Sequence, residues 1–170
     1  MFLILRPLRL LLSAMIFETT PRQKSMGLAF GILLGLVPKG NLLAISLGLI
    51  LAATRLNLAV AALGAMLAAT IAVSCDSLFD QIGWYVLSQP SLAGTWTWLY
   101  DIPWVPWTDF DNSIVMGSFV TGLILMLPVH FATRPLFQRY SGVLSMYAKR
   151  SWLLRVLTGA EVANRLSAVE

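Results

Sequence analysis

The sequence predicts an all-α integral membrane protein, and three observations carry that prediction. The first is composition. Of 170 residues, 58% are hydrophobic and 12% are charged, with a mean hydropathy of +0.77. A soluble domain averages about 25% charged residues, and a soluble core of this size cannot hide so much apolar surface. The second is pattern. Apolar runs such as Leu56–Ser74 are unbroken and lack the in/out alternation of β-barrel strands. The third is charge segregation. Arg6, Arg9, Arg22 and Lys24 lie near the start, and Arg134, Arg139, Lys149, Arg150, Arg155 and Arg165 near the end. Residues 76–112 between them hold five aspartates and no lysine or arginine. By the positive-inside rule both termini are cytoplasmic and the middle segment is outside. The net charge of +4 therefore reads as a topology signal and as contacts to anionic lipid, not as a nucleic-acid surface.

Residues 1–19 place Leu8, Leu11, Leu12, Met15 and Ile16 on one helical face and Arg6, Arg9 and Ser13 on the other. That is an amphipathic helix lying in the membrane interface. No small-x-small cleavage site follows, which argues against a signal peptide. Thr20-Pro21 starts the next helix, with a capping threonine and proline at the first helical position. Gly27, Gly31 and Gly35 recur every fourth residue, a stripe that permits close approach of a neighbouring helix. Pro38 ends this helix because it lacks an N–H and restricts Val37. Gly40 supplies a turn, and Asn41 caps a second apolar run that reaches Thr54. Met26–Val37 and Asn41–Thr54 are then two short helices of about 18–21 Å, neither able to span a core of about 30 Å.

Residues 56–75 form a spanning helix. Residues 76–112 hold five of the six tryptophans and read as a periplasmic loop with a short helix at the membrane–water interface. Residues 113–133 form the second span, with Gly117, Thr121 and Gly122 as small packing residues and a kink expected at Pro128. Residues 134–170 are a cytoplasmic tail of short amphipathic helices, in which Thr158-x-x-Glu161 is a capping box. No internal repeat and no low-complexity segment stands out.

Parity gives residues 21–54 their shape. Lys24 and Arg55 both fall on the cytoplasmic side, so a segment too short for two crossings is expected to be a re-entrant helical hairpin with Pro38-Lys39-Gly40 at its tip. Irregular backbone at membrane depth requires burial in protein or a water-filled cavity. The second half-helix points its N-terminal N–H groups toward the tip, and Lys39 adds a full charge. Lys39, Gly40 and Asn41 are therefore the candidate lipid or anion site at mid-depth, in the manner of broken-helix transporter sites. Two other roles for Lys39 stay open here: snorkelling to headgroups, or neutralising the C-terminal dipole of the first half-helix. Gly27, Gly31, Gly35 and Gly117 are the candidate helix-packing residues. Asp76 and Asp80 either pair, bind a cation or are solvated, and His130 is read as a packed or interfacial residue. The single cysteine, Cys75, forms no internal disulfide. No catalytic set, P-loop or zinc-ligand spacing occurs, so no enzyme activity, cofactor or metal is expected.

The stretch TPRQKSMGLAFGILLGLVPKGN, with Gly31, Gly35, Pro38, Gly40 and Asn41 in a G-x-x-x-G-x-x-P-x-G hairpin, and the segment Asn112–Gly117 resemble a family of small bacterial inner-membrane proteins of unknown function. One subgroup is paired with a large bridge-like envelope lipid-transfer protein. The resemblance implies a non-enzymatic inner-membrane subunit of an envelope assembly. Such a subunit would support phospholipid transfer between inner and outer membranes with that periplasmic partner, with membrane phospholipid as ligand. Two alternatives remain: an oligomeric small-anion or solute channel or carrier, which requires a homo-oligomer because only two full spans are present, and a purely structural membrane protein.

Overall fold

The computed structural model describes residues 20–150, with side chains over 20–140. The interfacial helix expected over 1–19 and the helix expected after Thr158 lie outside the described residues. The described elements are helices: α1 (Pro21–Leu36), α2 (Leu42–Ala53), α3 (Leu58–Ala72), α4 (Asp76–Leu87), α5 (Ala93–Tyr100) and α6 (Ser113–Arg150), with short 3-10 turns at Val73–Cys75, Pro90–Leu92 and Pro106–Thr108.

Helix α1 starts earlier than its apolar run because Thr20 builds a full capping box. Its Oγ1 accepts from Gln23 N at 3.3 Å, and Gln23 Oε1 accepts from Thr20 N at 2.9 Å. Satisfying both orphan donors lets the helix begin at Pro21. Its 16 residues reach about 24 Å rather than the shorter rise read from Met26.

The glycine stripe faces α3, not a foreign helix. The two helices run parallel in constant register: a Cβ added at Gly27 meets Asn57, one at Gly31 meets Ala61, and one at Gly35 meets Ala65. At Gly31 that Cβ would sit 2.0 Å from the Ala61 carbonyl oxygen. The backbones are therefore closer than any side chain permits. Helix α6 lies antiparallel to α1, with Gly122 against Leu33 and His130 against Ser25. It continues antiparallel along α4, where Gly83 meets Ser113 and Gly117 meets Phe79, each with a hypothetical Cβ 1.8 Å from a carbonyl oxygen.

Two helical stretches are long and apolar enough to cross a membrane, Leu58–Leu87 with 30 residues and Ser113–Tyr140 with 28. Both run beyond the limits expected from sequence. The first does not end at Cys75. One 3-10 turn connects α3 to α4, and Phe79 and Gly83 are buried against α6, so the chain leaves the helix at Ser88. The aspartates at 76 and 80 stop nothing because both are exposed. Helix α6 likewise passes residue 133 and continues to Arg150 through Pro128 and Pro135. Each proline removes only one N–H, a loss that apolar helices tolerate when neighbouring groups re-satisfy the backbone. The outward surface is an apolar belt, including Ile45, Leu49, Leu63, Met66, Leu67, Ile71, Ile124, Leu127 and Phe131. Soluble monomers rarely expose apolar patches beyond a few hundred Å².

Helices α1 and α2 form an antiparallel hairpin whose two ends meet. Gln23 Nε2 donates to the Arg55 carbonyl at 2.8 Å, and Asn57 N donates to the Gln23 carbonyl at 3.5 Å. The chain therefore enters and leaves the hairpin at one level.

A repeat does exist, against the reading from sequence. Asn41–Thr54 and Asn57–Thr70 share Asn, Leu, Leu, Gly, Leu, Ala, Ala and Thr at eight equivalent places of fourteen. The structure gives both copies the same terminal hydrogen bonds. Asn41 Oδ1 accepts from Ala44 N at 2.8 Å, and Asn57 Oδ1 from Val60 N at 2.9 Å. Thr54 and Thr70 each donate Oγ1 to the leucine carbonyl three residues back, at 2.7 Å.

Candidate functional site

The hairpin tip is the site to which the sequence points, and its backbone explains its composition. Val37 is extended at φ −67°, ψ 129°, as a residue before proline must be. Gly40 has φ +106°, a left-handed value that favours glycine. Asn41, 4% exposed, then caps α2.

Lys39 sits over the C-terminal end of α1. Its Nζ donates to the Leu34 and Val37 carbonyls and, at 3.4 Å, to the Gly35 carbonyl. These are the orphan acceptors of a helix terminus, and a cation there also complements the macrodipole. Of the roles open from sequence, dipole neutralisation is the one this geometry displays. The same side chain lines a cavity.

That cavity has a volume of about 440 Å³. Its lining includes the apolar Leu36, Val37, Ala72, Val73, Ile114 and Val115 and the polar Lys39, Asn41, Asp76, Asp109 and Asn112. The tip is therefore level with Ala72, Val73 and Asp76 of the Leu58–Leu87 stretch and with Asn112 at the start of α6. The cause is the length of α1. Helix α1 keeps step with α3 from Asn57 to Ala68, and Leu36 joins Ala68, Ala72 and Phe79 in one buried cluster.

Three elements thus converge. Asp109 adopts φ 54°, a left-handed conformation that aspartate tolerates, and its carbonyl accepts from Asn112 N at 3.0 Å. Asn112 Oδ1 in turn accepts from Ile114 N at 3.0 Å and Val115 N at 3.3 Å, capping α6. Asn41 uses its Oδ1 on the cap, and its Nδ2 has no hydrogen-bond partner among the described residues. An amide donor, an ammonium, two carboxylates and an apolar wall together suit an amphiphile with both charges in its headgroup.

Asp76, weighed from sequence only with Asp80, and Asp109 and Asn112 were not linked to Lys39, because they are 37 or more positions from it. The Asn112–Gly117 segment of the resemblance is the one signal that marked the region. Gly27, Gly31 and Gly117 lie outside the cavity, in the α1–α3 and α4–α6 contacts, whereas Gly35 both contacts α3 and lines the cavity. Asp80 accepts a hydrogen bond from Ser113 Oγ, which ties α4 to the start of α6.

At the opposite end, Lys24 is buried at 4% exposure. His130, 8% exposed, has Nδ1 3.0 Å from Ser25 Oγ, and Ser25 Oγ donates to the Arg22 carbonyl at 3.0 Å. With the hydroxyl proton so used, the histidine Nδ1–H is the donor of the pair. This is a buried fastener between α1 and α6. Among the described residues no group of three or more His, Cys, Asp or Glu is placed to hold a metal.

The family described as "Uncharacterized protein conserved in bacteria (DUF2062)" matches residues 5–143, and the chain belongs to it. An "Uncharacterized protein" of Treponema pallidum (strain Nichols) is 28% identical over 117 residues, covering 69% of this chain and 72% of that one. No solved structure matches the chain.

Proposed function

We propose that this member of the family is a non-enzymatic inner-membrane subunit that holds a phospholipid headgroup in the hairpin-tip cavity and supports phospholipid transfer toward the outer membrane. In this reading Leu58–Leu87 and Ser113–Tyr140 cross the membrane and both termini are cytoplasmic. The α1–α2 hairpin is re-entrant from the cytoplasmic side, with its tip at the outer boundary of the apolar zone. The observation that carries the reading is the cavity itself. Its lining joins apolar side chains to Lys39, Asn41, Asp76, Asp109 and Asn112, which in this reading face an outer-leaflet phosphate. Asn41 Nδ2 and Lys39 address the phosphate, and α2 directs its N-terminal dipole the same way. The large periplasmic partner rests on the resemblance described above, and the exposed Trp98, Trp104 and Trp107 form the face offered to it.

The test is native mass spectrometry of protein purified in mild detergent, with the co-purifying lipids and proteins identified. Asn41→Asp keeps an oxygen to cap α2 but replaces the amide donor with a carboxylate. Retained phospholipid should fall about tenfold, equivalent to about 1.4 kcal/mol, while the thermal midpoint hardly moves. Unchanged lipid retention in Asn41→Asp would falsify the headgroup site. A lipid-free homo-oligomer would favour a channel, and a lipid-free monomer a structural role.

A further inference from the structure

The outer segment forms a second concavity of about 400 Å³, which shares no lining residue with the first. Its lining includes Trp96, Tyr100, Asp101, Phe110 and Asp111. Phe110 is buried at 8% exposure and anchors the group. The Trp96 ring is 6.2 Å from it and tilted by 37°, and the Tyr100 ring is 6.4 Å away and edge-on at 61°. These rings differ from the interfacial tryptophans. Trp98, Trp104 and Trp107 are 63–69% exposed, as a membrane-interface belt requires. Trp96 is only partly exposed, and its Nε1 is buried without a hydrogen-bond partner among the described residues.

Aromatic faces carry the negative side of the ring quadrupole and attract cations. Asp101 and Asp111 add two formal negative charges beside them, and residues 76–112 contain no lysine or arginine to neutralise these. An anion is repelled by such a lining. A small metal ion would keep its water rather than exchange it for ring faces. An organic ammonium ion, which presents alkyl groups together with its charge, satisfies both the rings and the carboxylates. The geometry points to a binding site for an alkylammonium group, held against Trp96, Tyr100 and Phe110 and neutralised by Asp101 and Asp111. Ethanolamine or choline headgroups and free alkylammonium ions share this chemistry.

The experiment uses the full chain labelled with 5-fluorotryptophan and followed by fluorine NMR, with the Trp96 signal assigned through Trp96→Phe. In maltoside detergent, tetramethylammonium chloride is titrated against sodium chloride at equal ionic strength. In a second arm, nanodiscs of phosphatidylglycerol alone are compared with nanodiscs that also contain phosphatidylethanolamine. The Trp96 signal should shift saturably with tetramethylammonium while those of Trp98, Trp104 and Trp107 do not. Asp111→Asn and Tyr100→Leu, both at exposed positions, should each weaken the affinity at least fivefold with unchanged thermal midpoints. A Trp96 shift confined to the phosphatidylethanolamine arm also supports the site and identifies the ligand as lipid. No saturable Trp96 shift in either arm, or an affinity in both variants unchanged from that of the parent protein, overturns it.

Discussion

Helices α2 and α3 carry one fourteen-residue pattern, yet they bury different faces of it. In α3 the small residues Ala61, Gly64 and Ala68 are buried against α1, and Leu63 and Leu67 point outward at 40% and 65% exposure. In α2 the equivalent leucines, Leu47 and Leu51, are buried with Phe30, Leu33 and Val37. The small face is turned out there, and Gly48 meets nothing within 4 Å of a hypothetical Cβ. Two positions account for the switch. Where α3 has Ala61 and Ala65, α2 has Ile45 and Leu49. Alanine lets the glycine stripe of α1 reach backbone contact, whereas isoleucine and leucine hold it off. The helix with the flat face takes the close contact, and the other packs by its leucines. A shared pattern thus specifies a helix and its caps, while one or two side-chain volumes specify which face is inside.

The sharpest way to break this comparison is to truncate the equivalent leucines. Leu47→Ala and Leu51→Ala remove buried side chains and should each destabilise the protein by about 2–5 kcal/mol. Leu63→Ala and Leu67→Ala remove outward side chains and should change stability by about 0.5 kcal/mol or less. Thermal unfolding in detergent, read by size-exclusion fluorescence, distinguishes the pairs. Comparable losses at all four positions would mean that the two helices do not differ in the face they bury.

The equivalent glycines sharpen the same contrast from the other side. A Cβ at Gly64 would lie 2.8 Å from the Leu28 carbonyl oxygen, so Gly64→Ala should cost about 1–3 kcal/mol by overpacking. Gly48→Ala enters open space inside a helix and should stabilise by about 0.5–1 kcal/mol. The same unfolding measurement should therefore move in opposite directions for one substitution at two matched sites.

The smallest effect tests what the two helices have in common. Asn41 and Asn57 are both buried N-caps, at 4% and 3% exposure. Asn41→Ala and Asn57→Ala should each cost about 1 kcal/mol, and the corresponding serine variants should recover most of it. If only one of the two alanine variants is destabilised, the caps are not equivalent and the repeat is confined to sequence.

Much of the local structure was legible before any coordinates. The helix start at Thr20-Pro21, the break at Pro38, the left-handed Gly40 and the capping Asn41 all depend on a residue's own backbone limits or on hydrogen bonds within three positions, which a sequence displays directly. The apolar runs likewise disclosed two helices long enough to span. Where the reading missed, the cause was distance. Asp76 and Asp80 suggested a loop, but Phe79 and Gly83 are held by α6, and that contact carries the helix on to Leu87. Lys24 reads from sequence only as a cytoplasmic-side charge, and its burial depends on contacts between helices.

Composition class, helix caps, the hairpin turn and the availability of a glycine stripe can be read residue by residue, because they follow from covalent geometry and local hydrogen bonding. Only the tertiary structure decided that the stripe of Gly27, Gly31 and Gly35 serves α3 of the same chain, and that Lys39 lies over the carbonyls of Leu34, Gly35 and Val37. It alone brought Asn41, Asp76, Asp109 and Asn112 around one cavity. These outcomes depend on which of several chemically equivalent apolar faces packs against which. That choice rests on volume and register summed over whole helices, and no single residue announces it.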